Sequence, residues 1–232
     1  MLSMSKDTVV LFDGVVNSFQ ELAATTLYTL RAEMRCHILY HLNLCMSGSS
    51  FNIPIPINKD TPTMGQTPLL DPDINLLNLN TDLVAFDEDL SVLLRPREKE
   101  YITLGLASFI THILIAHARK IGVMNRGGVH KMVLCILVLQ QNLKNVEGKV
   151  VSLDRARQYY NLWTGTGNGV KELIARAAQG PMGFNFDELK TMINLCYSEG
   201  LTANTGRKET VAQARKAMME SMKELSESMW QG

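Results

Sequence analysis

The sequence predicts an all-α fold, an elongated rod of stacked antiparallel helical bundles with about eight helices. Apolar residues recur at intervals of three and four through most of the 232-residue chain, and no segment alternates with a period of two. The first helical pattern is about 40 residues long, which at 1.5 Å per residue gives a helix of roughly 60 Å. Glycines and prolines divide the remaining patterns into lengths typical of bundle helices.

The first helix is predicted from about Asp7 to Met46. Asp7 or Thr8 can cap its amino end, because a side-chain oxygen there accepts a free backbone N–H. Since the pattern begins almost at the first residue, we expect the chain to be a piece of a longer protein. The apolar positions at helical spacing are Val9, Phe12, Val16, Phe19, Ala23, Leu27, Leu30, Met34, Ile38 and Leu42.

Residues 47–73 are predicted to form a long surface loop. Five of the seven prolines of the chain lie in this segment. Proline lacks a backbone N–H and restricts the residue before it, so the segment cannot be a helix or a central strand.

Two helices are predicted next. One runs from about Thr81 to Leu94, and the other covers 97–122 and ends at Gly122. Pro96 lies between them, either as a break or in the first turn of the second helix.

Residues 127–148 are apolar almost all round, which predicts the most buried helix of the chain. A buried strand is the alternative, but the length between flanking glycines favours a helix. A helix over 152–163, with Ser152 as its cap, follows, and another ends near Gly180. The last two predicted helices cover 185–200, closed by Gly200, and 206–230.

Gly165, Gly167 and Gly169 lie close together, as glycines do in phosphate-binding loops. Their spacing is GxGxG instead of GxGxxG, a helix and not a strand precedes them, and the Lys-Ser/Thr pair of a Walker loop is missing. We therefore interpret them as a helix–turn–helix connection and a hinge. They suggest a border between a first bundle at 1–163, which includes the loop at 47–73, and a carboxy-terminal bundle at 164–232.

Composition excludes several classes of function. Lys+Arg and Asp+Glu both number 23, and a chain without net charge is a poor general ligand for nucleic acid or anionic membrane. The longest apolar run, Met132–Leu139, is too short to span a bilayer, so no transmembrane segment is predicted. The cysteines form no close pair and indicate reduced core thiols of a cytosolic protein; they are Cys36, Cys45, Cys135 and Cys196.

His37, His41 and Cys45 lie on one face of the first helix and offer ligand types that zinc prefers. Three ligands spread over two turns of one straight helix cannot surround a single tetrahedral ion, so packed or hydrogen-bonded side chains are favoured. No nucleophile motif marks a catalytic serine. The sequence therefore predicts no enzyme, no metal and no cofactor.

The last helix carries a methionine-rich stripe along one side. Such a stripe is more often core, but methionine also suits an adaptable partner surface. Nearby glutamates match the basic residues of this helix, which indicates a solvated face and not a phosphate-binding one. The candidate partner-binding residues are Met218, Met219, Met222, Leu225, Met229 and Trp230.

Four strings resemble one known family in the same order along the chain. VLQQNLKNVEG (138–148) followed by DRARQYYNLW (154–163) is similar to the carboxy-terminal half of exocyst complex component four, the eighth subunit of the Sec series. TLRAEMRCHILYHL (29–42) and the segment 80–115 also resemble that family. The resemblance extends from roughly residue 10 to 225.

The resemblance implies a non-catalytic scaffold or tethering subunit that acts through protein–protein contacts. The exocyst is an assembly of rod-like subunits that holds secretory vesicles at the plasma membrane before fusion. The implied partners are other exocyst subunits, with vesicle or plasma-membrane trafficking proteins as further candidates. The implied location is the cytoplasm, with peripheral recruitment to sites of secretion. The alternatives are a helical module that binds anionic lipid and one that binds a nucleotide through the glycines.

Overall fold

A computed structural model confirms the all-α prediction. Among the residues that it describes, no strand forms, and the one β-type pairing is an isolated parallel bridge between Phe51 and Met124. The elongated rod stays a prediction. The described residues are 6–54, 71–147, 151–164, 172, 173, 175, 183–202 and 208–230.

The α-helices follow one another with short connections wherever the connection is described. A 3-10 turn over Ala118–Lys120 follows the fourth helix. In chain order the helices are α1 (Lys6–Gly48), α2 (Ile74–Leu93), α3 (Pro96–Thr103), α4 (Leu106–Ala116), α5 (Arg126–Glu147), α6 (Asp154–Asn161), α7 (Phe186–Thr202) and α8 (Lys208–Trp230).

The long first helix is confirmed: α1 has 43 residues, or roughly 65 Å at 1.5 Å per residue. Its buried residues begin at Met34, in the half that packs against α2, α3 and α4, while Leu27 and Leu30 just before it are partly buried against the core. The half that precedes Met34 contains no buried residue. The buried residues of α1 are Met34, Ile38, Leu42, Cys45 and Met46.

The predicted start of the second helix at Thr81 is wrong, because α2 begins at Ile74. Asp73 is its N-cap and accepts a hydrogen bond from the amide of Asn75 at 3.1 Å. Lys131 of α5 holds the same carboxylate through a 2.9 Å ion pair. The cap of α2 is therefore held in place by a residue that is 58 positions away in the sequence.

The single helix predicted over 97–122 is also wrong, because the chain divides it at Gly105. This glycine has a φ of 81°, in the left-handed region that other L-residues avoid. The carboxylate of Glu147 accepts the amides of Gly105 and Leu106 at 2.8 and 3.0 Å. Arg35 of α1 donates to the carbonyls left free at the end of α3, including Leu104 at 3.0 Å. Two other helices thus stabilise the break.

The 47–73 segment is anchored in the core at Phe51, although its described neighbours Asn52 and Pro54 are exposed. Phe51 is buried, and its carbonyl accepts the amide of Asn125 at 3.1 Å. The side chain of Asn125 bonds Ile53 through both its oxygen and its nitrogen. Gly128 of α5 lets this strand-like stretch approach, because a Cβ there would overlap the carbonyl of Phe51.

Helix α6 connects α4 to α7 through side-chain hydrogen bonds. The Tyr160 hydroxyl donates to the carbonyl of Leu114 at 2.7 Å, while that of Tyr159 donates to the carbonyl of Glu188 at 2.9 Å. Arg155 pairs with the carboxylate of Glu188 at 2.8 Å. The DRARQYYNLW string of the sequence is therefore a packing element that ties α4, α6 and α7 together.

Helix α7 begins where predicted. The Asn185 side chain accepts the amide of Glu188, and the Glu188 carboxylate accepts the amide of Asn185, both at 2.9 Å. Its predicted end at Gly200 is wrong by two residues, since the helix continues to Thr202. The last helix, α8, packs against α7.

One contiguous core contains buried residues from α1 through to Leu225 of α8. The border that the sequence predicts between 1–163 and 164–232 stays a prediction. Gly165, Gly167 and Gly169 lie outside the described residues, and so does the predicted hinge.

Candidate interaction surface

The half of α1 that precedes Met34 exposes many large apolar side chains, most of them on one side. We call five of them the amino-terminal stripe. At 100° per residue they fall within roughly 100° around the helix axis, which is the width of a typical buried helix face. The stripe consists of Leu11 (71% exposed), Phe12 (60%), Val15 (54%), Phe19 (68%) and Leu22 (62%).

This part of α1 is helical although most of its side chains are exposed among the described residues. Its hydroxyl side chains bond back to the carbonyl four residues earlier; Ser18, Thr25 and Thr29 do so at 3.0, 2.8 and 2.9 Å. These polar groups are thereby satisfied within the helix, and the apolar ones are left facing solvent. A helix with one such face is stabilised when a partner covers that face.

Arginines hold α1 where it enters the core. Arg31 lies over the ring of Tyr101 of α3, with the guanidinium carbon 4.7 Å from the ring centroid. Arg35 lies 5.8 Å from the centroid of Phe109 of α4. Burial, and then the charge of Arg31, lower the pKa of Arg35. These contacts hold α1 against α3 and α4 next to its exposed half.

The methionine-rich stripe of α8 is divided between core and surface. Leu225 is buried, and Met218 and Met222 are partly buried against the core. Met219 is 70% exposed. The side chains of Met229 and Trp230 lie outside the part of the chain that the structure describes.

The core side of α8 also carries a polar contact. The hydroxyls of Ser221 in α8 and Tyr197 in α7 are 2.9 Å apart and buried. As a partner-binding surface, the stripe stays a prediction, and Met219 is the member best exposed to a partner.

The structure separates the three possible zinc ligands of the first helix. Cys45 faces the core, where burial raises the pKa of its thiol. His37 and His41 face α2 instead and meet Asp82 there.

Sequence reasoning missed the amino-terminal stripe. It used the apolar positions of the first helix only as evidence for a helix and proposed no partner surface there, because their spacing is the same in both halves. One signal was present: Val9, Val10, Leu11 and Phe12 are consecutive, and such a run leaves no polar side for solvent.

Among the described residues, no helix has both the length and the apolar character needed to cross a lipid bilayer.

Comparisons with known proteins identify relatives of the whole chain. No protein-family model matches the sequence. A probable exocyst complex component sec8 from Neurospora crassa is 32% identical over 269 aligned positions, which cover 99% of this chain and 23% of that protein. Exocyst complex component 4 of Homo sapiens is 30% identical over 172 residues, covering 74% of this chain and 17% of the relative. The protein of the same name from Dictyostelium discoideum is 29% identical over 181 residues, covering 78% and 14%.

The chain spans about a fifth of the length of the curated relatives that it matches. The alignment with the Neurospora protein has 269 positions for a chain of 232 residues, so that relative carries additional residues within the matched region. The match nevertheless extends from one end of this sequence to the other. The chain belongs to the family of exocyst complex component 4, also named Sec8.

Proposed function

We propose that this chain is a non-catalytic scaffold segment of an exocyst component, and that it binds another component of that complex through the amino-terminal stripe. Two observations support the proposal. The relatives are named as components of the exocyst complex. The stripe is a continuous apolar helix face that the described part of this chain leaves uncovered.

The proposed occupant is an amphipathic helix of another exocyst component. Burying one leucine or phenylalanine side chain gains roughly 1.5–3 kcal/mol, so five such residues offset the cost of association. Two apolar helix faces can interdigitate along several turns of α1. The partner then covers side chains that are now more than half exposed.

The wider role that we propose is to hold secretory vesicles at the plasma membrane before fusion. A scaffold performs this role by holding its binding surfaces at fixed distances, and it needs no active site. The proposal places the chain in the cytoplasm, recruited peripherally to sites of secretion. Vesicle or plasma-membrane trafficking proteins are further proposed partners.

A second proposed surface is the exposed side of α8. Met219 is 70% exposed beside the partly buried Met218 and Met222. Methionine is flexible and polarisable, so this patch can adapt to an apolar helix of the same complex. We also keep the proposal that Gly165–Gly169 form a hinge between two bundles.

The test uses charge substitutions on the stripe. The double variant Phe19→Glu/Leu22→Glu places two carboxylates on the apolar face, and Gln20→Glu adds one on the opposite face as a control. The tagged chain is used to capture purified exocyst components. We expect the double variant to lose capture and the control to retain it, because only the first charges an interface that becomes buried.

Circular dichroism of each variant shows whether α1 stays helical. Capture of partners by the double variant at the wild-type level contradicts the proposal. Loss of self-association without loss of capture identifies a second copy of this chain as the occupant instead. Co-sedimentation with anionic vesicles tests the lipid alternative, and titration with ATP and GTP tests the nucleotide alternative.

A further inference from the structure

We propose that His37, His41 and Asp82 form a site for a divalent transition-metal ion, with Zn²⁺ as the expected occupant. The two histidines lie one turn apart on α1, so their rings point to the same side of the helix. Asp82 reaches them from α2. The metal would join the two helices just after α1 enters the core.

The three ligand atoms are close enough for one ion. The Nε2 atom of His41 is 2.9 Å from Oδ2 of Asp82, and the Nδ1 atom of His37 is 3.8 Å from the same oxygen. All three ligand atoms lie within 4.8 Å of one another. Tetrahedral zinc with bonds of about 2.1 Å places its ligands roughly 3.4 Å apart, so side-chain rotations that change these separations by at most about 1.4 Å suffice.

The chemistry of the site favours zinc over calcium or magnesium. Imidazole nitrogen with one carboxylate suits zinc and the neighbouring transition metals, whereas calcium and magnesium prefer oxygen alone. Three protein ligands leave one position for water. In His41, only Nε2 is available as a ligand, because its Nδ1 is buried and has no hydrogen-bond partner among the described residues.

The site is accessible from solvent but is partly enclosed. The side chains of His37 and Asp82 are 57% and 46% exposed, while that of His41 is 12% exposed. Apolar side chains from both helices, among them Met34 and Phe86, line the pocket that contains His37 and Asp82. A metal ion can therefore enter, and the rings that hold it are supported by packing.

The expected role is structural. The residue after His37 is Ile38, so the glutamate that serves as a base in HExxH metalloproteases is missing. A bound ion would instead hold α1 to α2 near the point where the exposed half of α1 begins. It would thereby stabilise the direction of the helix that carries the amino-terminal stripe.

Isothermal titration with Zn²⁺ after treatment with a chelator tests the site in the whole chain. We expect one ion per chain and a rise of the melting temperature on binding, because the ion binds the folded state. Co²⁺ should give the visible absorption of a tetrahedral ion. His37→Ala and Asp82→Asn should each weaken binding by about tenfold or more, since each removes a ligand.

His130→Ala is the matched control, because it removes an exposed histidine of α5 far along the chain and should leave binding unchanged. Cys36→Ser is the second control, because this exposed thiol precedes His37 and is itself a zinc ligand type. Absence of saturable binding overturns the proposal. Binding that survives His37→Ala, or that is lost only in Cys36→Ser, also overturns it and leaves an ordinary hydrogen bond between His41 and Asp82.

Discussion

At the start of α2, Asp73 contacts three other parts of the chain. Its carboxylate caps that helix and pairs with Lys131, while its amide donates to the sulfur of Cys135 at 3.3 Å. Burial alone would raise its pKa, but hydrogen bonds from Ser49 and Lys131 and the charge of Lys131 outweigh burial. The pKa of Asp73 is therefore lowered, which means that the folded state favours the ionised carboxylate.

The lowered pKa predicts how stability changes with pH. The charge of Asp73 stabilises the fold above the ordinary pKa of aspartate, and this contribution is lost as the pH falls through the lowered value. We expect Asp73→Asn to reduce the free energy of unfolding by roughly 2–4 kcal/mol at pH 7, because it leaves Lys131 without its partner. The difference in the free energy of unfolding between this variant and the wild type should be smaller at pH 3. Urea unfolding at both pH values measures it.

Asp71→Asn serves as the control, because Asp71 is exposed and lies two residues before the cap. We expect this variant to change stability by less than about 0.5 kcal/mol. A loss in Asp73→Asn that is as large at pH 3 as at pH 7 would show that the ionised carboxylate is not what stabilises this site.

At the scale of elements, the start of α5 depends on the close approach of the chain around Phe51. Gly128→Ala would place a methyl group on the carbonyl of Phe51, so either α5 or this stretch must move. We expect the free energy of unfolding to fall by about 3 kcal/mol. Chemical unfolding followed by circular dichroism measures the change.

Gly14→Ala is the same chemical change in an open position. A Cβ at Gly14 of α1 meets nothing within 4 Å. Since alanine favours a helix over glycine by roughly 1 kcal/mol, this variant should gain stability in α1. If the two variants behave alike, the close approach at Gly128 is not responsible for the effect.

Elements whose signals lie within their own residues could be predicted. The bounds of α5 differ by one residue from those expected, because its apolar pattern is long and almost uninterrupted. Asn185 and Glu188 lie three residues apart, so the cap of α7 could be seen in the sequence.

Elements that depend on distant residues could not be predicted. Asp73 caps α2 with the help of Lys131, which is 58 residues away. The amides at the break in front of α4 are held by Glu147, which is 42 residues from Gly105. Periodicity within a window contains neither partner, and so both boundaries were wrong.

The same reason explains why the amino-terminal stripe was not predicted. The apolar spacing of α1 is alike before and after Met34, but the buried residues of this helix all lie from Met34 onward. A sequence pattern shows which side of a helix is apolar. Whether anything in the chain covers that side is decided by the arrangement of the other helices.

At the scale of the whole molecule, the two halves of α1 should differ in stability. Backbone amides in residues 6–30 are protected mainly by the helix, although Leu27 and Leu30 pack against the core, whereas the range 34–46 contains all the buried residues of α1. We expect hydrogen exchange in the first range to be on the order of 100-fold faster. Exchange measured by mass spectrometry on peptides from both ranges provides the test.

Addition of a partner that covers the amino-terminal stripe should slow exchange in residues 6–30 and leave 34–46 unchanged. Equal protection of both ranges in the isolated chain would mean that contacts beyond those described cover the first half of α1.

Because α1 is continuous, it also fixes the rotational position of the stripe around the helix axis relative to the core. One residue inserted between Tyr28 and Met34 would rotate the stripe by about 100° and advance it by about 1.5 Å, although no residue of either surface changes. Seven inserted residues would restore this rotational position to within roughly 20° but move the stripe about 10 Å farther from the core. The number of residues between the core and the stripe therefore sets both the side of the helix on which the stripe lies and its distance from the core.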